Sequence, residues 1–300
     1  MMAALPDTIK VGYKVPTRRH PVIAFAVQQP LGTAGLIVIF LMIFAAIFAE
    51  WVAPHDPLTL DYGGLLAPPS ADHLLGTDNF GRDVLSRVIY GSQTALAVGF
   101  LSSLIGSTLG AVIGVASAYF GGMTDMIIQR LMDIILAFPI IVLALAVVSV
   151  LGKNIIFGID WNLIIAIGLP MVPKVARVVR SSALSIREMP YIDAARTAGF
   201  SHSRIIFRHI VPNVVAPYLI MLTAFVGQAI LLEASLSFLG LGVTEPTAAW
   251  GLMLSGSAIE FYQQAPGRIV FPGVAISLAV FAFNLFGDSL RDWLDPRIKI

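Results

Sequence analysis

The chain has 300 residues, of which 57% are hydrophobic and only 12% are charged, and its mean hydropathy is +0.85. This composition excludes an ordinary water-soluble domain and predicts a protein whose main solvent is lipid. The formal net charge of +1 gives no reason to expect nucleic acid as a partner, and the absence of cysteine excludes disulfides, thiolate metal sites and cysteine nucleophiles.

The first 30 residues have a mixed composition and carry the basic residues Lys10, Lys14, Arg18 and Arg19. No short apolar segment here ends at a small-residue cleavage site, so the order is not that of a signal peptide. We therefore predict a cytoplasmic N-tail over residues 1–30 and expect the first apolar run to remain as a membrane anchor.

Charge-free stretches identify the membrane spans, because a spanning helix needs ~20 mostly apolar residues to cross the hydrocarbon core. Five clear stretches cover residues 31–49, 93–124, 134–152, 213–232 and 269–287. A sixth, weaker stretch covers residues 161–173 and contains Pro170.

The distribution of Lys and Arg decides whether the weak stretch crosses, since basic residues collect in cytoplasmic loops. If it crosses, 15 of the 19 basic residues lie on one side, seven of them within residues 174–208. We therefore predict an all-α integral membrane protein with six transmembrane helices and both termini in the cytoplasm. The transmembrane domain covers residues 31–290, and a cytoplasmic C-tail covers residues 291–300.

The second predicted span carries small residues at four-residue intervals, at Gly106, Gly110 and Gly114. Such a stripe allows another helix to approach closely. We expect this contact to form within the chain rather than between two copies of it.

The predicted outer loop, residues 54–92, is too long and too patterned to be a simple connector. It holds five aspartates, and its Pro68–Pro69 pair and its glycines indicate turns. We predict a compact cap on the outer side, with a solvated loop as the alternative.

The predicted cytoplasmic segment, residues 180–212, suits two short helices. A helix over residues 191–198 has Asp193 near its N-terminus, where a carboxylate complements the helix dipole, and Gly199 suits the left-handed residue that ends it. Ser201 suits the cap of a second helix that carries Arg204, Ile205 and Arg208, before Pro212 opens the next span.

The first of these helices presents small side chains beside charged ones. Ala194, Ala195 and Ala198 are predicted to form a smooth face that fits the groove of a partner protein. Taken alone, a basic loop that only fixes the topology is the simpler interpretation. The candidate docking residues are Asp193, Ala194, Ala195, Gly199, Arg204, Arg208 and Pro212.

The order of residues in this segment resembles the cytoplasmic loop of ATP-binding-cassette (ABC) importer permeases. That family has Glu-Ala-Ala, three residues, Gly, nine residues and then Ile-x-Leu-Pro, placed before the penultimate helix. Here Asp193 begins Asp-Ala-Ala, Gly199 follows at the same distance, and residues 209–212 read His-Ile-Val-Pro. The spacing is kept, while Asp193, His209 and Val211 replace Glu, Ile and Leu.

Three further segments resemble one branch of these permeases, the dipeptide and oligopeptide (DppC/OppC-like) branch. Residues 75–87 read LGTDNFGRDVLSR in the outer loop, residues 233–242 read EASLSFLGLG, and residues 287–297 read GDSLRDWLDPR. The four motifs occur in order between residues 75 and 297, and the resemblance as a whole extends from about residue 20 to the end of the chain.

The resemblance implies a type I ABC importer permease fold in the bacterial inner membrane. It implies a permease subunit for dipeptides, oligopeptides or similar small solutes, with alternating access driven by ATPase subunits. The implied partners are a second homologous permease, two ATP-binding-cassette ATPases and an extracytoplasmic substrate-binding protein. ATP and Mg²⁺ are expected on the ATPases, since this chain lacks a G-x-x-x-x-G-K-[ST] phosphate loop.

Catalysis by this chain is not expected, because neither H-E-x-x-H nor G-x-S-x-G occurs in it. We therefore predict no catalytic residue and no metal ligand. The five histidines are at positions 20, 55, 73, 202 and 209.

The clear spans carry no charge near mid-membrane, unlike the spans of ion-coupled carriers. Glu233 is a candidate outer gate, with a hydrated interfacial carboxylate as the favoured alternative. Gln228 and Asn284 either face a water-filled path or bond a neighbouring helix. Two other functions stay open from the residues alone, an ion-coupled secondary transporter or channel without ATPases, and a structural subunit that recruits partners through its basic loop.

Overall fold

The computed structural model describes residues 21–256, 261 and 263–294, so residues 1–20 of the predicted N-tail and residues 295–300 of the predicted C-tail lie outside the described part. The helices are α1 (Pro21–Gln28), α2 (Pro30–Ile47), α3 (Ala49–Val52), α4 (Val84–Phe120), α5 (Gly122–Leu136), α6 (Ile140–Leu151), α7 (Trp161–Gly168), α8 (Val172–Arg187), α9 (Pro190–Thr197), α10 (His202–Ile205), α11 (Val211–Phe238), α12 (Trp250–Met253) and α13 (Gly267–Leu294). The strands β1 (Ile155–Ile156) and β2 (Ile159–Asp160) form an antiparallel hairpin.

Within the described residues, five helical runs are long and apolar enough to cross a membrane, and a bent pair makes a sixth if it counts as one span. This agrees with the prediction of an all-α protein with six spans. The five runs are Pro30–Ile47, Val84–Phe120, Trp161–Arg187, His202–Phe238 and Gly267–Leu294, and the bent pair is α5 with α6.

The third span differs from the single stretch predicted over residues 134–152, because it begins earlier, at Gly122, and is bent. Helices α5 and α6 meet at an angle of 92°. The break contains Pro139, which cannot donate a backbone hydrogen bond and disfavours helical geometry at Phe138 before it. The prediction counted only the absence of charge and therefore missed the bend.

The fourth span is longer than the predicted stretch of residues 161–173. Pro170 lies in a 3₁₀ turn, Leu169–Met171, and the helical run continues through α8. Lys174 and Arg177 are exposed on α8, whereas Val175 and its neighbour Ala176 are buried. The run can therefore continue past Lys174 and Arg177, because both lie on its exposed face.

The outer loop is shorter than the predicted residues 54–92. Helix α4 begins at Val84 because the Asp83 side chain accepts a hydrogen bond from the Ser86 backbone N–H and caps the helix. The segment between α3 and α4 is made of turns, without a helix. The cytoplasmic segment also begins later than the predicted residue 180, since residues 180–187 belong to α8.

The glycine stripe forms its contact within the chain, as predicted. Helix α4 packs along α8, and its glycines lie against the backbone of the α7–α8 run. A Cβ atom placed on Gly106 would lie 2.5 Å from the Gly168 carbonyl oxygen, and one on Gly114 would lie 2.5 Å from the Ala176 carbonyl oxygen. Only glycine allows the two helices this separation.

The largest buried cluster joins the membrane helices to the cytoplasmic segment. It includes Val175 and Val179 of α8 together with Ile192 of α9, Ile205 of α10 and Ile210. The short cytoplasmic helices are thus part of the same packed core as the spans and do not hang on a flexible loop.

Candidate functional site

Helix α9 ends in a complete C-terminal cap. Gly199 has a φ of 76°, a conformation that side chains disfavour, and its N–H donates to the Arg196 carbonyl at 2.9 Å. The Phe200 N–H donates to the Ala195 carbonyl at 3.1 Å, which completes a Schellman motif. The chain therefore turns sharply at Gly199, where the sequence predicted the end of the helix.

The two faces of α9 differ in exposure. Ala194 and Ala198 are exposed, whereas Ala195 is 6% exposed and packs into the core beside Ile192. Asp193, also exposed, accepts a hydrogen bond from Arg196 at 2.9 Å. The predicted three-alanine face is therefore corrected to Ala194 and Ala198, because Ala195 faces the chain's own interior.

An aromatic cluster connects α9 to the start of α11. The His209 ring lies nearly parallel to the Phe200 ring, with centroids 6.3 Å apart, and 6.1 Å from the Tyr191 ring. The Arg204 guanidinium lies 4.0 Å from the centre of the Phe200 ring. His209 Nε2 has no hydrogen-bond partner among the described residues, and these ring contacts are the interactions that the His209 side chain makes with its neighbours on α9 and beside it.

The predicted break between the second short helix and the next span does not exist. Ser201 caps α10 by accepting from the Arg204 N–H at 3.3 Å, as predicted. The helix then passes through a π turn, Ile206–Ile210, directly into α11. Pro212 sits in the first turn of α11 rather than at a new start, so α10 and α11 form one continuous helical run. Helix α9 is separated from this run by the turn at Gly199 and is joined to it by packing, since Ile192 lies in the same core as Ile205 and Ile210.

Two contacts fasten the inner end of α4 to its neighbours. The Tyr119 hydroxyl and His202 Nδ1 of α10 are 2.7 Å apart, and Arg187 at the end of α8 donates to the Ala118 carbonyl at 2.7 Å. Sequence reasoning did not single out these residues, because the partners are 69 and 83 positions apart.

At the outer side, Asp78, Arg82, Arg87 and Glu245 form what we term the outer ionic network. Arg82 donates to Asp78 at 2.7 Å and holds Glu245 with two nitrogens, at 2.7 and 3.2 Å. Arg87 lies 3.8 Å from Asp78 and 3.6 Å from Glu245. The network borders a cavity of about 220 Å³ and ties the outer loop to the segment after α11.

The charge state of Arg82 follows from its partners. Burial by itself lowers the pKa of Arg82, but hydrogen bonds and charges from Glu245 and Asp78 outweigh it. The pKa of this guanidinium is therefore above its ordinary value, and the side chain stays charged at every physiological pH.

Replacing Arg82 by alanine is expected to lower the free energy of unfolding by roughly 3 kcal/mol, because Asp78 then stays buried without its nearest cation. The lost bond to Glu245 adds little, since that side chain is 47% exposed and solvent screens it. The midpoint of thermal unfolding in detergent measures the effect. Arg291→Ala, at an exposed position of α13, is the control and should keep the wild-type midpoint. An unchanged midpoint for Arg82→Ala would contradict this role.

The three candidate pathway residues lie in different surroundings. Glu233 is 1% exposed and accepts a hydrogen bond from the Ser237 hydroxyl at 2.7 Å, so the favoured alternative of a hydrated carboxylate is wrong for this chain. Gln228 is half-buried on α11, and Asn284 is exposed on α13. The structure does not bring these three side chains together with the candidate docking residues.

Comparison with protein-family models gives two matches. Residues 106–300 match the model described as binding-protein-dependent transport system inner membrane component. Residues 27–69 match the N-terminal transmembrane domain of oligopeptide transport permease C.

Curated relatives match along most of the chain. The dipeptide transport system permease protein DppC of Alkalihalophilus pseudofirmus is 44% identical over 272 residues, which are 91% of this chain and 88% of the relative. The glutathione transport system permease protein GsiD of Escherichia coli is 42% identical over 295 residues, 98% of this chain and 93% of the relative. Among solved structures, the inward-facing methionine ABC transporter MetNI matches with a TM-score of 0.53 and 17% identity, over 70% of this chain and 98% of that one.

Proposed function

This chain belongs to the family of binding-protein-dependent transport system inner membrane components, and from that premise we propose that it imports peptides. It is the permease subunit of an ABC importer in the inner membrane, with the fold of a type I importer permease. It is not an enzyme, since ATP hydrolysis in this family belongs to a separate subunit. The family gives no support to the alternative of a secondary transporter or channel without ATPases.

We propose that α9 is the docking element for an ATPase subunit. The observation that carries this proposal is the exposed pair Ala194 and Ala198 on a helix whose other face packs into the same core as α10 and the start of α11. A helix end with small side chains and a charged edge can enter a groove that larger side chains would block. The exposed side chains of Asp193, Arg204 and Arg208 supply that charged edge. Gly199 ends the helix, and Ala195 packs its other face into the core.

The proposed coupling follows from the continuity of the helices. When ATP binding closes two ATPase subunits, α9 moves with the groove that holds it. Helix α11 moves with α9 because Ile192 and Ala195 of α9 pack in one core with Ile205 of α10, and the helix runs unbroken from α10 into α11. Alternating access needs two discrete arrangements of packed helices, and such a rigid lever can bias the choice between them. ATP and Mg²⁺ bind to the ATPases in this scheme.

We propose that a second, related permease subunit completes the pathway and that an extracytoplasmic binding protein delivers the substrate to the outer loops. Glu233, Gln228 and Asn284 stay candidates for the pathway. Asn284 is exposed in this chain and is free to face a second permease, whereas Glu233 sits near the outer end of α11 and suits a gate. The dipeptide and glutathione permeases among the relatives favour small peptides as the substrate.

Purification of the tagged chain from its native membrane in mild detergent is expected to yield a complex with one related permease and two ATPase subunits. Intact-complex mass spectrometry gives the composition. The same complex, reconstituted in liposomes with its binding protein and internal ATP, should take up a radiolabelled dipeptide. Excess unlabelled dipeptide should compete, and the constituent free amino acids at the same concentration should not.

Two results would contradict this proposal separately. A chain that purifies alone or as a homo-oligomer, and that supports flux in liposomes by itself, would overturn the dependence on ATPases. A complete complex that takes up another solute, with no competition by any peptide, would overturn the substrate class only.

A further inference from the structure

Three side chains that suit a metal ion meet in the outer loop. His55 follows α3, His73 lies in the middle of the loop, and Asp83 ends it. One ligand atom from each lies within 4.8 Å of the other two. The two imidazole rings are 4.6 Å apart, and His73 Nδ1 is 3.0 Å from Asp83 Oδ1.

The carboxylate of this cluster is held in a fixed orientation. Asp83 is 2% exposed, and its Oδ2 accepts from both the backbone N–H and the hydroxyl of Ser86, each at 2.7 Å. Its other oxygen, Oδ1, faces His73. Ser86 also accepts from the His55 backbone N–H at 3.0 Å, so one residue positions two members of the cluster.

The outermost member has the support that metal-binding histidines have. His55 Nε2 lies 2.8 Å from the backbone carbonyl oxygen of Asp72, a contact in which the ring nitrogen must donate its proton. The proton on Nε2 leaves the lone pair of Nδ1 free. A ring held by a carbonyl through one nitrogen, with the other available, is the usual state of a metal-ligating imidazole.

We propose that His55, His73 and Asp83 bind a divalent transition-metal ion, with Zn²⁺ as the representative. Two imidazole nitrogens and one carboxylate oxygen form a set that zinc accepts, with water in the fourth position, whereas Mg²⁺ and Ca²⁺ select oxygen ligands. Tetrahedral bonds of about 2.0–2.1 Å separate ligand atoms by roughly 3.3 Å. The pair His73 and Asp83 is already at nearly this spacing, but His73 Nδ1 donates its proton to Asp83 Oδ1 there, so this nitrogen binds zinc only after the proton has moved to Nε2. The ligand atom of the exposed His55 lies within 4.8 Å of the other two.

The ion would fasten the start of the outer loop to its end. His55 lies three residues after α3, and Asp83 is the cap of α4. Binding to the folded loop stabilises it in proportion to the logarithm of the free ion concentration. This role is independent of the solute that the importer carries.

Zinc titration of the whole importer complex tests the proposal. The complex is purified with an affinity tag that contains no histidine, treated with a chelator, freed of it and titrated with ZnCl₂ by calorimetry. We expect one saturable site that His55→Gln removes or weakens at least ~10-fold. Asp72→Asn is the matched control, because it removes a neighbouring carboxylate but keeps the backbone carbonyl, and it should bind zinc as the wild type does.

A second readout separates the metal site from a structural role. Without zinc, His55→Gln should unfold at the wild-type temperature, since His55 is exposed, and only the zinc-induced rise of the midpoint should disappear. Millimolar Mg²⁺ should not compete. The proposal is overturned if no saturable site exists, if the site survives in the double variant His55→Gln, His73→Gln, or if Asp72→Asn weakens binding as strongly as His55→Gln does.

Discussion

Uptake driven by ATP is expected to fall at least about 100-fold when Ala194 and Ala198 are both replaced by arginine, equal to roughly 2.8 kcal/mol of lost docking free energy. Both side chains are exposed on α9, so arginine fits the chain itself and keeps a good helix propensity. The same side chains would block the groove of the ATPase. Uptake in proteoliposomes, co-purification of the ATPases and the thermal midpoint of the permease measure transport, assembly and folding separately.

The matched control is the double variant Ala194→Ser, Ala198→Ser, which keeps small side chains at the same positions and should retain uptake and assembly. Ala195→Arg is not a test of docking, because residue 195 is buried and a charge there destabilises the permease itself. The docking role of α9 would be wrong if the double arginine variant kept both its ATPases and its rate of uptake.

The sequence was sufficient for the number of spans but not for their shapes. Absence of charge located five of the spans, since lipid excludes charged side chains, and the distribution of Lys and Arg decided the sixth. Absence of charge placed the start of α4 too late, because Arg87 was counted as a loop residue although the outer ionic network accommodates it inside the protein. It also missed the bend at Pro139, where the prediction used hydropathy and ignored the backbone chemistry of proline.

The candidate sites show a similar limit. Helical spacing predicted α9 and the turn at Gly199 from local chemistry alone, but it gave no indication that Ala195 is buried while Ala194 is exposed. That difference depends on packing against residues distant in the chain. The histidines at positions 55 and 73 have no metal-ligand spacing in the sequence, and only the folding of the outer loop brings them to Asp83.

Helix α4 connects the two ends at which function is proposed. Its 37 residues give it a length of about 55 Å. Asp83 caps its outer end beside the outer ionic network, and Tyr119 at its inner end contacts His202 of the cytoplasmic segment. The contact of α4 with α8 therefore fixes the position of both ends of α4, and this contact depends on the glycine stripe.

Replacing Gly110 by leucine is therefore expected to cost at least about 3 kcal/mol of folding free energy, at the upper end of overpacking penalties. A Cβ atom on residue 110 would lie 2.6 Å from the Val172 carbonyl oxygen and 2.7 Å from Val175 Cβ. The first of these is a backbone atom, which cannot rotate away as a side chain can. Helices α4 and α8 must separate, and the core that holds α9 then loses its packing.

Gly273→Leu is the matched control for this prediction. Gly273 also lies within a long membrane helix, α13, but a Cβ atom there meets nothing within 4 Å. Size-exclusion chromatography of fluorescent fusions should show little folded protein for Gly110→Leu and a wild-type peak for Gly273→Leu. Equal peaks would mean that α4 and α8 can separate without loss of the fold. The glycine stripe would then be unnecessary for the packing of α4 against α8.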